Sequence, residues 1–403
     1  MPASGPSRPG RWEKRKALRP AAFLAGLLAA ALLLPQTAAA GSGAPPAPGP
    51  EALRVATYNA ALTRRGPGLL LRDILGGADA QIAAVVEVIA AADADILLLT
   101  AVDWDHDLVA LTALAERLAD AGAPYPHRFA FRPNTGMQTG LDLTGDGRRG
   151  TPDDAQGYGA FAGAAGMALL SRLPLDVENA RDFSGFLWRD LPGALLPERD
   201  GRPYPSDEVF RIQRLSTTGH WDVPVELPEG GRLHLLAWYA GPPLFGGRYQ
   251  RNLRRNHDET QFWLEFLDGS LPFPPPDAPF ILLGDSNLDP YDGAGMGAAM
   301  QALLAHPALQ DPAPRSPGAV AAQGPLDAGH RGDPALDTTL WDGPRHPGNL
   351  RVDYVLPSAD LEVLDAGVLW PEPGAALAEA VAEASRHRLV WVDLRLPSPQ
   401  TPE

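Results

Sequence analysis

The chain has 403 residues, 45% of them hydrophobic, enough for a large globular core and too many for a mostly disordered protein. It contains no cysteine, which excludes disulfides and anchoring through a lipid-modified cysteine. A formal net charge of −15 argues against a broad nucleic-acid-binding surface, although a local basic cleft is still allowed.

The first forty residues stand apart from the rest. Arg8, Arg11, Lys14, Arg15, Lys16 and Arg19 make a basic start, 21–34 is an apolar run, and Thr37-Ala38-Ala39-Ala40 supplies small residues for cleavage. This is the pattern of a secretory signal peptide over 1–40, because the apolar run is short for a membrane span of roughly 20 residues. The mature chain would start near Gly41, be exported to the periplasm or beyond, and have no membrane span. Residues 41–50, GSGAPPAPGP, read as a disordered linker, 51–396 as one domain and 397–403 as a tail.

Residues 53–59 (LRVATYN) alternate and include β-branched types, so a strand ends at Asn59. A helix is expected over 81–92 and a buried strand over 96–100. That strand opens through Ala101 into Asp103, Asp105 and Asp107. Leucines at 108, 111, 114 and 118 predict a helix over 107–121, capped by His106 and Asp107. A Gly- and Asp-rich loop covers 133–165. Within it Asp142, Asp146 and Asp153 resemble part of a calcium loop, but Thr144 breaks the pattern and an ordinary turn is the better reading. Further strands are expected over 167–171, 232–238, 280–283, 351–356 and 389–394, and His220 beside Trp221 and Asp222 reads as structural. A helix over 249–267 would bury Phe262, Trp263, Phe266 and Leu267. Its start carries Arg251, Arg254, Arg255 and His257, either a solvated face or a phosphate contact. Strands and helices mix without regular βαβ alternation, which predicts an α+β fold of packed sheets flanked by helices.

Four segments carry chemistry. LGDSNLDP (283–290) runs a strand into Asp285 and Asn287, which share a face if the strand continues. Such a pair can hold a cation or orient a water, and can donate to a developing oxyanion. RVATYNAAL (54–62) presents Asn59. GNLRVDYVLPS (348–358) places Asp353 inside an apolar strand, where a lone carboxylate needs a partner. SRHRLVWVDL (385–394) places His387 just before a final strand, and an aspartate beside it would fix its tautomer.

In this order the four segments resemble the endonuclease/exonuclease/phosphatase superfamily, which includes DNase I-like nucleases, sphingomyelinases and inositol phosphatases. The likeness spans about 53–395, and HWDVP (220–224) and RRNHDE (254–259) are similar to marks of exported bacterial members of unassigned substrate. It implies a four-layer α/β/β/α sandwich of two mixed sheets, Mg²⁺ or Mn²⁺ as cofactor, and catalytic roles for Asn59, Asp285, Asn287, Asp353 and His387. Tyr239, with Trp238 as competitor, would contact phosphate, and Arg254, Asn256, His257 and Arg386 would contact substrate. The implied substrate is a small phosphate-bearing molecule or a phosphodiester, and no protein partner is implied.

Two positions depart from the resemblance. Ala101 falls where a metal-binding glutamate is implied, and a methyl group cannot ligate a hard cation. Arg386 replaces the aspartate of Ser-Asp-His. Asp103 offers an alternative ligand with Asp285, but lies about 6.5–7 Å further along an extended strand. Arg386 is expected to take the cation's place and pair with Asp285. These departures predict a secreted protein of phosphoester-hydrolase type with weak or absent activity. The alternative is an active metal-dependent phosphoesterase with a rearranged site.

Overall fold

Two mixed β-sheets face each other in the computed structural model, which describes residues 43–49 and 51–395. The segments expected as signal peptide (1–40) and tail (397–403) lie outside the described residues. The six-stranded sheet contains β1 (Ala52–Leu62), β2 (Ile96–Val102), β3 (His127–Phe129), β4 (Gly166–Ser171), β10 (Glu362–Val368) and β11 (Val390–Arg395). Its order is β10-β11-β1-β2-β4-β3, with only β1 and β2 parallel. The five-stranded sheet holds β5 (Arg181–Asp182), β6 (Gly219–Glu226), β7 (Arg232–Tyr239), β8 (Phe280–Asp285) and β9 (Asp353–Pro357), in the order β9-β8-β7-β6-β5. There β7 and β8 form the parallel pair.

Leu53 and Val55 of β1, Leu98 of β2, Leu169 of β4 and Val392 of β11 meet Trp221, Val223, Leu235, Ile281 and Leu283 from the other sheet. The outer face of the six-stranded sheet is covered by α1 (Leu69–Gly76), α2 (Ala80–Ala92), α3 (Val109–Asp120) and α6 (Ala378–Ala384). Helices α4 (Arg251–Leu267) and α5 (Ala298–Leu304) cover the other sheet. Because β2 is buried on both faces it reads as a continuous apolar run rather than an alternation. The result is the four-layer sandwich. Among the described residues no single helix is long and apolar enough to cross a membrane.

Local chemistry sets the helix starts. Asp79 caps α2 by accepting from the Ile82 amide at 2.9 Å. Helix α3 is capped by Asp105, which accepts from Val109 N at 2.7 Å and Ala110 N at 2.9 Å. His106 and Asp107, expected as the cap, are exposed and bond to each other. The linker reading also changes, because residues 43–49 pack on the domain. The Pro46 carbonyl accepts from Arg54 Nη2 at 2.7 Å, and the Gly43 backbone approaches Pro371 closely. Arg54 is itself buried, bonded to both Asp393 oxygens at 2.7 and 2.8 Å.

Candidate active site

The ends of β1, β7, β8 and β9, with the segment leading into β11, bring five polar side chains together. Asp285 closes β8 and pairs in register with Tyr239 at the end of β7 and with Asp353 at the start of β9. Asn59 Nδ2 donates to Asp285 Oδ2 at 2.8 Å and lies 3.5 Å from His387 Nε2. His387 Nδ1 is 2.9 and 3.2 Å from the two Asp353 oxygens and 3.8 Å from Asp285 Oδ2. Tyr239 interacts with Asn59 and sits beside the Asp285 charge; burial raises its hydroxyl pKa. Trp238, its competitor, faces the opposite side, against Trp263 of α4.

Asn287 joins the group by a turn, not by continued strand. Its backbone is left-handed at φ 50°, its amide donates to Asp285 Oδ1 at 2.9 Å, and its side chain donates to the Ala240 carbonyl at 2.9 Å. The Asp285 carboxylate thus tethers the residue two positions on, as aspartates do in turns.

The electrostatics are coupled. Burial raises the Asp285 pKa, and the Asp353 charge raises it further against the pull of His387. Burial alone would lower the His387 imidazole, but the charges of Asp353 and Asp285 outweigh it and raise the pKa. Asp285, Asp353 and His387 thus stand within reach of one another's charges. Each also offers a ligand atom, all within 4.8 Å of one another, so together they could hold a metal ion.

Three supporting residues gave little sequence signal. Ser385 Oγ donates to the Asn59 carbonyl at 2.7 Å and accepts from the His387 amide at 3.1 Å, tying two site segments together. Thr338 Oγ1 donates to Asp353 Oδ2 at 2.8 Å, and the Trp341 ring packs edge-on to His387 at 6.0 Å. Ser385 sits in a quoted motif. Thr338 and Trp341 come from a loop with no distinguishing pattern.

Other expectations are corrected. Arg386 is exposed and forms no ion pair among the described residues, so it does not pair with Asp285. Ser385 and His387 face inward, and the residue between them is turned outward, to a groove shared with Arg64 and Gln81. Asp103 is not free to ligate. It accepts from Thr63 Oγ1 at 2.8 Å, Arg64 N at 2.7 Å and Ala165 N at 3.0 Å. Asn256 is fully buried and donates to the carbonyls of Gly241 and Ser286, both at 2.8 Å, which engages its side-chain amide hydrogens within the fold. His257 bonds Asp258 at 2.9 Å, and Arg254 is half-buried with its Nε unpartnered. None of these three lines the cavity beside the cluster, whereas Arg251 and Arg255 do. His220 is structural, wedged between Ser216 and the Glu259 carbonyl. The Asp142 carboxylate is consumed by the amides of Thr144, Gly145, Asp146 and Gly147, which makes its loop a turn.

No curated protein matches the sequence. Among solved structures, an endonuclease/exonuclease/phosphatase from Beutenbergia cavernae is 20% identical, with a TM-score of 0.50 over 86% of this chain and 72% of that one. Sphingomyelinase C from Streptomyces griseocarneus is 18% identical, TM-score 0.44, over 85% and 99% of the two chains. A mannosyl-6-phosphatase from Bacteroides thetaiotaomicron is 13% identical, TM-score 0.45, over 85% and 99%. At these identities the likeness extends to the fold alone. The model of the endonuclease/exonuclease/phosphatase family, whose members are generally dependent on divalent metal, matches residues 56–387, and the chain belongs to that family.

Proposed function

We propose that this is an exported phosphoester-binding protein on a phosphoester-hydrolase scaffold, with hydrolysis weak or absent because its grip on a dication is reduced. The observation that carries the reading is Ala101. Where the resemblance implies a metal-binding glutamate the strand carries a methyl group, and neither nearby candidate is free to take its place: Asp103 is bonded to three donors, and Arg386 is exposed. The remaining donors, two carboxylates and an imidazole, are engaged with one another and with Asn59. That set supplies fewer acidic oxygens than the resemblance implies, which weakens the hold on Mg²⁺ or Mn²⁺, hard cations that prefer oxygen ligands. The basic start, the apolar run and the small-residue site at 37–40 support export.

The chain's own residues still suit a phosphate group. Asp353 holds the imidazole, whose raised pKa favours a charged donor, and Asn59 sits beside it as an amide donor. The same preassembly favours a second reading, slow hydrolysis with Asp285 as the base that orients water.

Hydrolysis of mono- and bis-nitrophenyl phosphate with Mg²⁺, Mn²⁺ or Ca²⁺ separates the readings. The wild type should turn over weakly or not at all, and the Ala101→Glu, Arg386→Asp double variant should gain metal-dependent activity. Robust wild-type turnover abolished by EDTA refutes the proposal.

A further inference from the structure

A cavity of about 610 Å³ opens beside the cluster, and Tyr239 and Ala240 form the shared wall. Asn287 bonds the Ala240 carbonyl and Tyr239 interacts with Asn59, so whatever fills the cavity touches the same strand end as the candidate reacting groups. Two guanidinium groups line it. Arg251 is held by the carbonyls of Leu143 at 2.9 Å and Asp153 at 3.5 Å, with no carboxylate within ion-pair distance among the described residues. Arg255 is 3% exposed. Its Nε and Nη2 bond carbonyls of residues 156 and 214–216, and its Nη1 has no hydrogen bond among the described residues.

Neither cation meets its counter-charge through a direct ion pair. Burial lowers both pKa values, Arg255 to about 10, the mark of cations held away from water. Asp153, which also lines the cavity, together with Asp154 and Glu259 offsets part of this charge without a direct ion pair. The Glu259 carboxylate is engaged by Thr217 and Gly241, fixing two pieces of the cavity wall. The first turn of the 17-residue helix α4 also lines the cavity, and its amide dipole adds positive potential.

The rim adds an independent feature. Phe245 is 87% exposed and its backbone is left-handed at φ 65°, a strained conformation for a bulky residue. Tyr158, 63% exposed, also lines the cavity. Exposed aromatic rings at the edge of a cationic cavity suit a ring-bearing ligand.

We propose that this cavity is a second anion subsite, taking a phosphate or carboxylate carried on the ring-bearing leaving group of the substrate. Arg251 and Arg255 are its cations, and Tyr158 and Phe245 flank the ring. The inference rests on the proposed function only in placing the first phosphate at the His387 cluster.

The test is calorimetric titration of the full chain in EDTA with phenyl phosphate and with 1,3-phenylene bisphosphate. A guanidinium contact to the second phosphate should make the bisphosphate bind about tenfold tighter, which is about 1.4 kcal/mol. Arg251→Met should abolish that preference and leave phenyl phosphate affinity unchanged, and Arg251→Lys should retain part of it, with melting temperatures confirming that both variants fold. Equal binding of the two probes by the wild type, binding of neither, or a preference that survives in folded Arg251→Met overturns the subsite. His387→Asn distinguishes the two proposals. If it leaves phenyl phosphate affinity unchanged while the Arg251-dependent preference persists, the cluster reading fails and the subsite stands. If it weakens phenyl phosphate and no preference exists, the reverse holds.

Discussion

Replacing Asp353 by asparagine should take the charge off His387. In the wild type the imidazole Nδ1 meets both carboxylate oxygens, and the Asp353 charge is the larger of the two, with Asp285, that overcome burial and raise the histidine pKa. A charge-assisted hydrogen bond of this kind contributes about 1.5–3 kcal/mol, which is roughly one to two pH units at 1.36 kcal/mol each. The same molecule shows where a buried imidazole without a carboxylate ends up. His220, fully buried between a hydroxyl and a carbonyl, is driven by burial down to about 4. Asp353→Asn should therefore move the His387 midpoint from above 6.5 to below it, leaving the ring neutral at pH 7. Proton NMR of the nine histidines, assigned against His387→Asn, reads the midpoint directly. Inorganic phosphate affinity at pH 6.5 should fall about tenfold in parallel, the equivalent of 1.4 kcal/mol. An unchanged His387 titration would show that Asp353 does not set its charge, and the account of the cluster would fall.

Three further outcomes follow from the geometry. Asp393→Ala strands Arg54, 1% exposed and bonded to both lost oxygens, so urea unfolding should show a loss of about 3–5 kcal/mol; a loss below about 1 kcal/mol contradicts it. Burial, and then the neighbouring Asp289, Asp327 and Asp292, raise Asp337 to about 8. The unfolded carboxyl titrates near 3.9, so the native state holds the extra proton between about pH 4 and 8, and stability falls as pH rises through that window. Asp337→Asn removes that fall; its melting advantage should grow from pH 5 to pH 8, and a pH-independent difference rejects the assignment. Ala101→Glu should lower the melting temperature in EDTA, and saturating Mn²⁺, at about a hundred times Kd, should restore about 2.7 kcal/mol. An equal Mn²⁺ response in the wild type counts against the reduced-grip proposal.

The sandwich was legible because its strands announce themselves. Buried runs at 96–100 and 280–283, the leucine spacing of α3 and the aromatic face of α4 all survive in the structure with small boundary shifts. Asn59, Asp285, Asp353, Tyr239 and His387 were singled out by the resemblance, and the structure gathers them, with register placing Tyr239, Asp285 and Asp353 side by side. What could not be read was which way a polar side chain turns. Asn256 looks like a ligand for phosphate in a basic motif, yet α4 turns it inward to hold backbone carbonyls. Arg386 reads as a charge replacement for a metal, but the segment before β11 faces alternate residues in opposite directions. Strand β10, half exposed and carrying Glu362, Asp365 and Gly367, lacks the apolar run that marks its neighbours.

The backbone around Ala101 is held by hydrogen bonds within the chain. Ala101 and Ala61 both adopt left-handed conformations, at φ 54° and 49°, where the β1–β2 register slips after Asn59 and Thr100. Each such residue costs about 1–2 kcal/mol, so something must hold the paired bulges in place. Asp103 does so from two positions further on. Its amide donates to the Leu62 carbonyl, and its carboxylate gathers Thr63, Arg64 and Ala165. A bulge re-aims the side chain it carries, and this one is fixed by hydrogen bonds that need no ion. The aim of position 101 is thus independent of what stands there. Because alanine already bears the cost of the left-handed turn, a glutamate added at that position inherits the geometry at little further backbone cost.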